Sequence, residues 1–361
     1  MRIAIIGSGI SALSAAWSCV TRGWSVSVHH QPRLGNATNA AGGMLSPSCE
    51  ADGCSPDLIT LAQQSCHLYP EWISAIEQTA QDSCEYSNNG TFLVALHHDH
   101  HQELTHLTAF QERLGLRAEW VSRRELRKRM PNLTRHVGGL YFADDHYVNP
   151  RSLQKTLTKA LINKGVQFLE GVSNLESDNL RARCILTAGN RFEADAYVIT
   201  EGAWANEHIN IPLRPVKGQY VILKPKTPSE PLLDHVVRTP DVYLIPRANG
   251  HIYIGATMEE EGWDTQQTAG ATLDFLYHAF QVLPGVYEMN IAESGCGFRP
   301  ALRDNQPLIG ATHLSNVFCN IGHYRHGILL APAAAEMCAK SIDDTQTPPD
   351  TFSWSRFQVD S

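Results

Sequence analysis

Short apolar runs alternate with stretches of helical spacing from the first residues onward. Arg2-Ile-Ala-Ile-Ile6 is β-branched and uninterrupted, the pattern of a strand buried on both faces. Gly7-Ser8-Gly9-Ile10-Ser11-Ala12 follows, then apolar residues at helical spacing (Leu13, Ala16, Trp17, Val20) up to Gly23, where a helix would stop. Trp24-Ser-Val-Ser-Val28 reads as the next strand. Ser55-Pro56-Asp57 opens a helix that continues to about Ala80, with Ser55 as its cap, and Thr91-Phe-Leu-Val-Ala-Leu96 is a strand. Asn149-Pro150 starts a helix through Lys164, ended by Gly165; residues 166–169 and 195–200 return to short apolar strands. From Leu213 to Phe298 the pattern changes. Strands at 219–223, 242–245 and 251–256, with one helical stretch near 269–283, predict an antiparallel sheet. Val317-Phe-Cys-Asn-Ile321 is a last strand, followed by Gly322-His-Tyr-Arg-His-Gly and a final apolar helix.

The expected fold class is therefore α/β: a Rossmann-like domain assembled from 1–48, 145–210 and 300–361, and a second domain with an antiparallel sheet from 49–144 and 211–299. A length of 361 residues suits two domains, and 43% hydrophobic against 18% charged residues suits a folded core. The net charge of −8 argues against a nucleic-acid or anionic-membrane surface. Nine cysteines, scattered and without a C-x-x-C pair, argue against a disulfide framework or zinc knuckle and for a reducing compartment. No apolar run reaches the roughly 18 residues of a membrane helix. A leader reading of the N-terminus is interrupted by Gly7, Ser8, Gly9, Ser11 and Ser14, so the expectation is a soluble, cytoplasmic chain. His97-His98-Asp99-His100-His101 has no second ligand cluster beside it and reads as a solvated turn and helix start; no metal is expected.

Strand, Gly7-x-Gly9-x-x-Ala12 turn, helix and strand within about thirty residues define a candidate dinucleotide site. Gly7 permits the tight turn, Gly9 lets the backbone approach a pyrophosphate, and Ala12 lets the helix pack close on the sheet. The acid that normally ends the second strand is missing. His30 stands in its place in Val28-His29-His30-Gln31, either accepting one ribose hydrogen bond or facing solvent. Thr38-Asn-Ala-Ala-Gly-Gly-Met44 suits a segment pressed against a flat cofactor.

Gly7-x-Gly9-x-x-Ala12, Ala41-Gly-Gly-Met-Leu45, Arg214-Pro-Val-Lys-Gly-Gln219, Gly255-Ala-Thr-Met258, Gly297-Phe-Arg-Pro300 and Gly322-His-Tyr-Arg325 occur in this order. Together they resemble the flavin-dependent amine oxidases of the D-amino-acid oxidase class, its glycine-oxidase members above all. The resemblance implies non-covalent FAD with the flavin ring between two domains. By position it puts Ile10 and Ser11 at the pyrophosphate and His30 and Gln31 at the ribose. Ala37, Thr38, Gly42, Gly43 and Met44 would line the phosphate, ribityl chain and ring, and the backbone of Val172 would meet the adenine. Thr200-Glu-Gly-Ala-Trp204 matches a strand-end turn that brings Gly202 to the cofactor, while Glu201 falls near the cofactor or on solvent. His323, Tyr324, Arg325, His326, Gly327, Ile328 and Leu329 form a turn feeding a helix; at the flavin's pyrimidine edge its N–H groups would stabilise negative charge. An ordinary strand-to-helix connection is the alternative.

On the substrate side the resemblance implies Arg299 as a bidentate carboxylate anchor, with Tyr243, Met258, Arg325 and Met44 around it. A structural salt bridge for Arg299, and core packing for Tyr243 and Met258, are the other readings. No catalytic acid or base is required. The implied reaction oxidises glycine, sarcosine or small D-amino acids by hydride transfer to flavin N5, then returns the electrons to molecular oxygen as peroxide, in thiamine biosynthesis. The alternatives are a D-amino-acid dehydrogenase with another electron acceptor and, because of the missing ribose acid, a weakly FAD-binding module. Members of the class are often homo-oligomers.

Overall fold

The computed structural model describes residues 1–357 apart from 52, 179, 228 and 229. Arg2–Ile6 lies inside a six-stranded sheet ordered Leu308–Ala311, Val317–Ile321, Ala196–Ile199, Arg2–Ile6, Ser25–His30 and Gln167–Glu170. Neighbouring strands are parallel except the first pair. Ile3 to Ile6 are at most 1% exposed, which is why the run shows no polar alternation. Successive side chains point to opposite faces. Ile3 and Ile5 join a core built with helices Ile10–Thr21, Pro56–Ala80, Pro150–Asn163 and Gly327–Ile342; Ala4 and Ile6 join a second core with Ala182, Ile185, Leu302 and Leu308. The helix Pro56–Ala80, from the stretch expected in the second domain, thus packs in the first core.

The second large sheet has eight strands, ordered Asn290–Ala301, Arg214–Lys224, Ile252–Gly255, Tyr243–Pro246, Val236–Arg238, Thr91–Ala95, Gly138–Phe142 and Glu119–Ser122. It is antiparallel as expected except at one junction, where Val236–Arg238 runs parallel to Thr91–Ala95. That junction joins strands far apart in sequence, so no hairpin dictates its sense. The strand expected at 219–223 extends over Arg214–Lys224 because it pairs along its length with Asn290–Ala301. Helix Ala269–Val282 covers one face through Ala271, Phe275, Ala279 and Val282. On another face Tyr220, Ile245 and Tyr253 pack against Ala40 and Met44, so the loop at 40–44 is held between the sheets. The tract at 97–101 begins the helix His98–Arg113, and among the described residues no three His, Cys, Asp or Glu side chains converge as metal ligands.

Candidate active site

Two helices present uncapped N-termini to one cavity. The helices Ala37–Ala40, Pro56–Ala80, Arg123–Arg129, Pro150–Asn163 and Ala269–Val282 all have side-chain caps, from Asn36, Ser55, Ser122, Asn149 and Thr268. Ile10–Thr21 and Gly327–Ile342 have Gly9 and His326 at that position and no side-chain cap bond. Their first residues, Ile10, Ser11, Gly327 and Ile328, line the same cavity. N–H groups without an intrahelical partner, at the positive end of a helix, suit phosphate or an electron-rich ring. Gly7 turns the chain into this site at φ +124°, and a Cβ there would lie 2.7 Å from Thr200 Oγ1. Thr38 Oγ1 accepts the Ile10 N–H at 3.0 Å and ties the 37–44 loop to the helix start.

The wall continues through Gln31, Arg33, residues 36–38 and 40–44, 200–204 and 323–325. His323 is buried; Nε2 lies 2.9 Å from Asn320 Oδ1, while Nδ1 has no partner. Burial lowers the His323 pKa to about 4, so the ring is neutral, and donation from Nε2 to the amide oxygen leaves Nδ1 as an orphan acceptor. The close-approach glycines, the two uncapped helix ends and this orphan acceptor fit a dinucleotide carrying a hydrogen-bonding ring.

Of the residues expected at the cofactor, five are not on the cavity wall. Ala12 is fully buried in the core beneath the first helix. Leu329 is 2% exposed in the same core, and His326 points back to Cys54, with Nε2 3.7 Å from its Sγ. His30 ends its strand with its carbonyl accepting Gly171 N–H at 2.9 Å and its ring edge-on to Phe168. Val172 is 56% exposed in the turn after Gln167–Glu170. Glu201, left open between cofactor and solvent by sequence, is half-buried 2.5 Å from His208 Nε2, with its backbone turn on the cavity wall.

At the other end, Arg299, Tyr243, Met258, Arg325 and Met44 all line the cavity. Arg299 sits opposite Val216 in the strand pair, and its guanidinium lies over Gly218, where a Cβ would come within 2.4 Å of it. Nη1 donates to the carbonyls of Thr257 at 3.0 Å and Lys217 at 3.3 Å. Among the described residues no carboxylate pairs with Arg299, so its charge is left for a ligand. Tyr243 adjoins Gly42 and stacks parallel to Tyr253 at 6.2 Å; burial pushes its hydroxyl pKa up, against the pull of Arg299. Met258 is 63% exposed at the rim.

No motif or periodicity marks the half-buried pair Glu50–Arg238 on the same wall, 3.0 Å apart. Burial alone would raise the Glu50 carboxyl, but Arg238 and its neighbours outweigh that and hold it below its ordinary value. Glu50 lies in an irregular segment and Arg238 on a three-residue strand, so neither carries a periodicity or motif.

A family profile described as FAD dependent oxidoreductase matches residues 2–341, and the chain belongs to that family. The bifunctional protein ThiO/ThiG of Synechocystis is 32% identical over 98% of this chain, which spans 54% of that relative's length. The chain spans about half the length of the first curated relatives it matches. The glycine oxidase of Geobacillus kaustophilus is 26% identical over 98% of this chain and 96% of its own. The crystal structure of glycine oxidase from the same organism superposes with a TM-score of 0.90 at 27% identity, covering 99% of this chain and all of that one. The protein is an FAD-dependent oxidoreductase with the glycine-oxidase fold.

Proposed function

We propose that this protein oxidatively deaminates glycine and small amines such as sarcosine or small D-amino acids, giving a 2-oxo acid, ammonia and hydrogen peroxide, and serves thiamine biosynthesis as the resemblance implies. The observation that carries the reading is Arg299. It is a guanidinium on the cavity wall, cradled over Gly218 and without a carboxylate partner among the described residues, in a cavity that also runs past two helix ends with no side-chain cap from the preceding residue. Bound FAD supplies the two-electron acceptor. Gly7, Gly9, Thr38, Gly42 and Gly43 would hold it, with Ser11, Gly327 and Ile328 presenting main-chain N–H groups.

The protein's own groups bind and orient. Arg299 offers a planar fork to the substrate carboxylate, and Tyr243 adds a hydroxyl beside it. Burial keeps that hydroxyl protonated, so it donates rather than carries charge. Positioning of the α-carbon and the dipole end at Gly327 are then the main contributions.

Glycine incubated in air with the purified protein is expected to yield ammonia and hydrogen peroxide in equal amounts. Glycine oxidation that proceeds only with a dye or quinone makes the protein a dehydrogenase. No oxidation of glycine, sarcosine or D-alanine with any acceptor contradicts the proposal.

A further inference from the structure

A second cavity, of about 300 Å³, opens on the same face of the eight-stranded sheet as the first. Register fixes that face. Arg299 pairs with Val216, and Val216, Gly218, Tyr220 and Ile222 alternate onto one side of their strand. Ile222 lies opposite both Glu293 and Tyr253, and Tyr253 opposite Ile245. Glu293, Tyr253 and Arg247, two residues beyond Ile245, therefore share the side of Arg299, and all three line the second cavity. Ala41 and Tyr253 line both cavities, so the loop at 40–44 divides them.

This loop is held from the second cavity's side. Arg151 Nε donates to the Asn39 carbonyl at 2.8 Å, Tyr253 Oη to that of Ala40 at 2.7 Å, and Arg247 Nη2 to that of Gly42. The charges on the wall are unequally matched. Glu293 is taken by Arg151 at 2.6 and 2.8 Å and by the Tyr220 hydroxyl at 2.6 Å. Arg247 is half-buried, with its guanidinium 5.5 Å from the Tyr253 ring centre and its other donation, at 3.4 Å, to the Pro246 carbonyl. Glu85, half-buried on the same wall, accepts from two neutral groups, Ser152 Oγ at 2.6 Å and Asn149 Nδ2 at 3.1 Å. Among the described residues neither Arg247 nor Glu85 has an opposite charge within 4.0 Å, although the charge of Glu85 still acts on Arg247. Burial lowers the Arg247 pKa to about 10, as befits a guanidinium without a close counter-ion.

We propose that the second cavity binds a small zwitterionic amino acid, with its carboxylate on Arg247 and its ammonium on Glu85. The guanidiniums and carboxylates of the wall cancel, Arg151 against Glu293 and Arg247 against Glu85. A ligand carrying both charges therefore suits it better than a net anion or cation. The occupant would share Arg247 with the Gly42 carbonyl, so its binding reaches the cofactor loop from behind. This site is independent of what Arg299 binds.

The test uses the flavin-loaded protein and L-alanine, an amino acid outside the proposed substrate class, followed by titration calorimetry and by the flavin bands. L-Alanine is expected to bind once per chain at millimolar concentrations and to shift the bands, equally in the native protein and in Arg299→Ala. Glu85→Gln, which leaves the contact of Arg247 with Gly42 in place, and Arg247→Gln are each expected to weaken binding about tenfold, the worth of one charge-assisted bond. Acetate and ethylammonium, each with one of the two charges, are expected to bind about tenfold more weakly than L-alanine. Should Arg247→Gln lose its flavin, Glu85→Gln decides. No binding of L-alanine, binding abolished by Arg299→Ala, or binding that Glu85→Gln leaves unchanged overturns the proposal. Acetate binding as tightly as L-alanine does so too, because Arg247 is then a simple anion site. Binding that leaves the flavin bands unmoved overturns the link through Gly42.

Discussion

Arg299 shows how a single side chain acquires a role from its surroundings. A guanidinium is always charged, so one that is half-buried without a carboxylate needs a compensating ligand. It donates to two main-chain carbonyls, which orient it without neutralising it. Arg299→Ala is accordingly expected to raise the glycine KM about 100-fold, the equivalent of about 3 kcal/mol for a lost charge-assisted pair, with flavin absorbance intact. Glycine kinetics equal to those of the native protein would remove Arg299 from the site. The residue scale is also where sequence reading reached its limits. The glycines at 7, 9, 42 and 43 were expected from patterns tied to close backbone approach, and Arg299 and Tyr243 from the family resemblance; all six line the cavity. Glu50 and Arg238 were not expected, because a pair 188 positions apart in irregular and edge segments becomes a pair only through the fold. His326 and Leu329 were expected beside Ile328 on the wall, but helical turning sends successive side chains to different sides, so only part of the run Gly322–Leu329 faces the cavity.

At the scale of elements, the strand–turn–helix start and the helices at 56–80 and 150–163 followed from their caps and periodicity. The strand Asn290–Ala301 did not stand out: its sequence Asn-Ile-Ala-Glu-Ser-Gly-Cys-Gly-Phe-Arg-Pro-Ala carries two glycines, a proline and little alternation. Those glycines make room. A Cβ at Gly297 would meet Ala40 at 2.4 Å and one at Gly295 would meet Tyr220, so the features that hide the strand also let the cofactor loop approach it. The loop's far end is held by Asp145, fully buried, whose carboxylate accepts Ser48 N–H at 3.1 Å and Cys49 N–H at 2.9 Å, just before Glu50. Burial raises the Asp145 carboxyl to about 7 despite those bonds. An acid whose pKa is higher folded than unfolded stabilises most below its unfolded value, near 4, and that contribution is lost as pH rises to about 7. Asp145→Asn cannot titrate. Its deficit in melting temperature relative to the native protein is therefore expected to be largest near pH 5 and to shrink towards pH 8. Thermal melts of both proteins across that range check this, and a gap independent of pH contradicts it.

Across the whole molecule, the two large sheets divide the labour. The parallel sheet supplies glycine turns and helix N-termini at its strand ends, the usual place for a nucleotide in such a fold. The mostly antiparallel sheet supplies Arg299 and Tyr243. The loop at 40–44 lies between them, so cofactor and substrate ends share one cavity wall. Parts of this plan came from the order of the motifs along the chain. The parallel junction at Val236–Arg238 and the packing of Pro56–Ala80 in the first core depend on contacts that no local pattern encodes. Among the described residues no helix is long and apolar enough to cross a membrane. The most direct measurement of the central claim is the visible spectrum of the purified protein before and after glycine is added without air. The account predicts a yellow protein whose flavin bands bleach on adding glycine and return when air is admitted. A protein that takes up FAD but keeps its spectrum unchanged through glycine, sarcosine and D-alanine would contradict it.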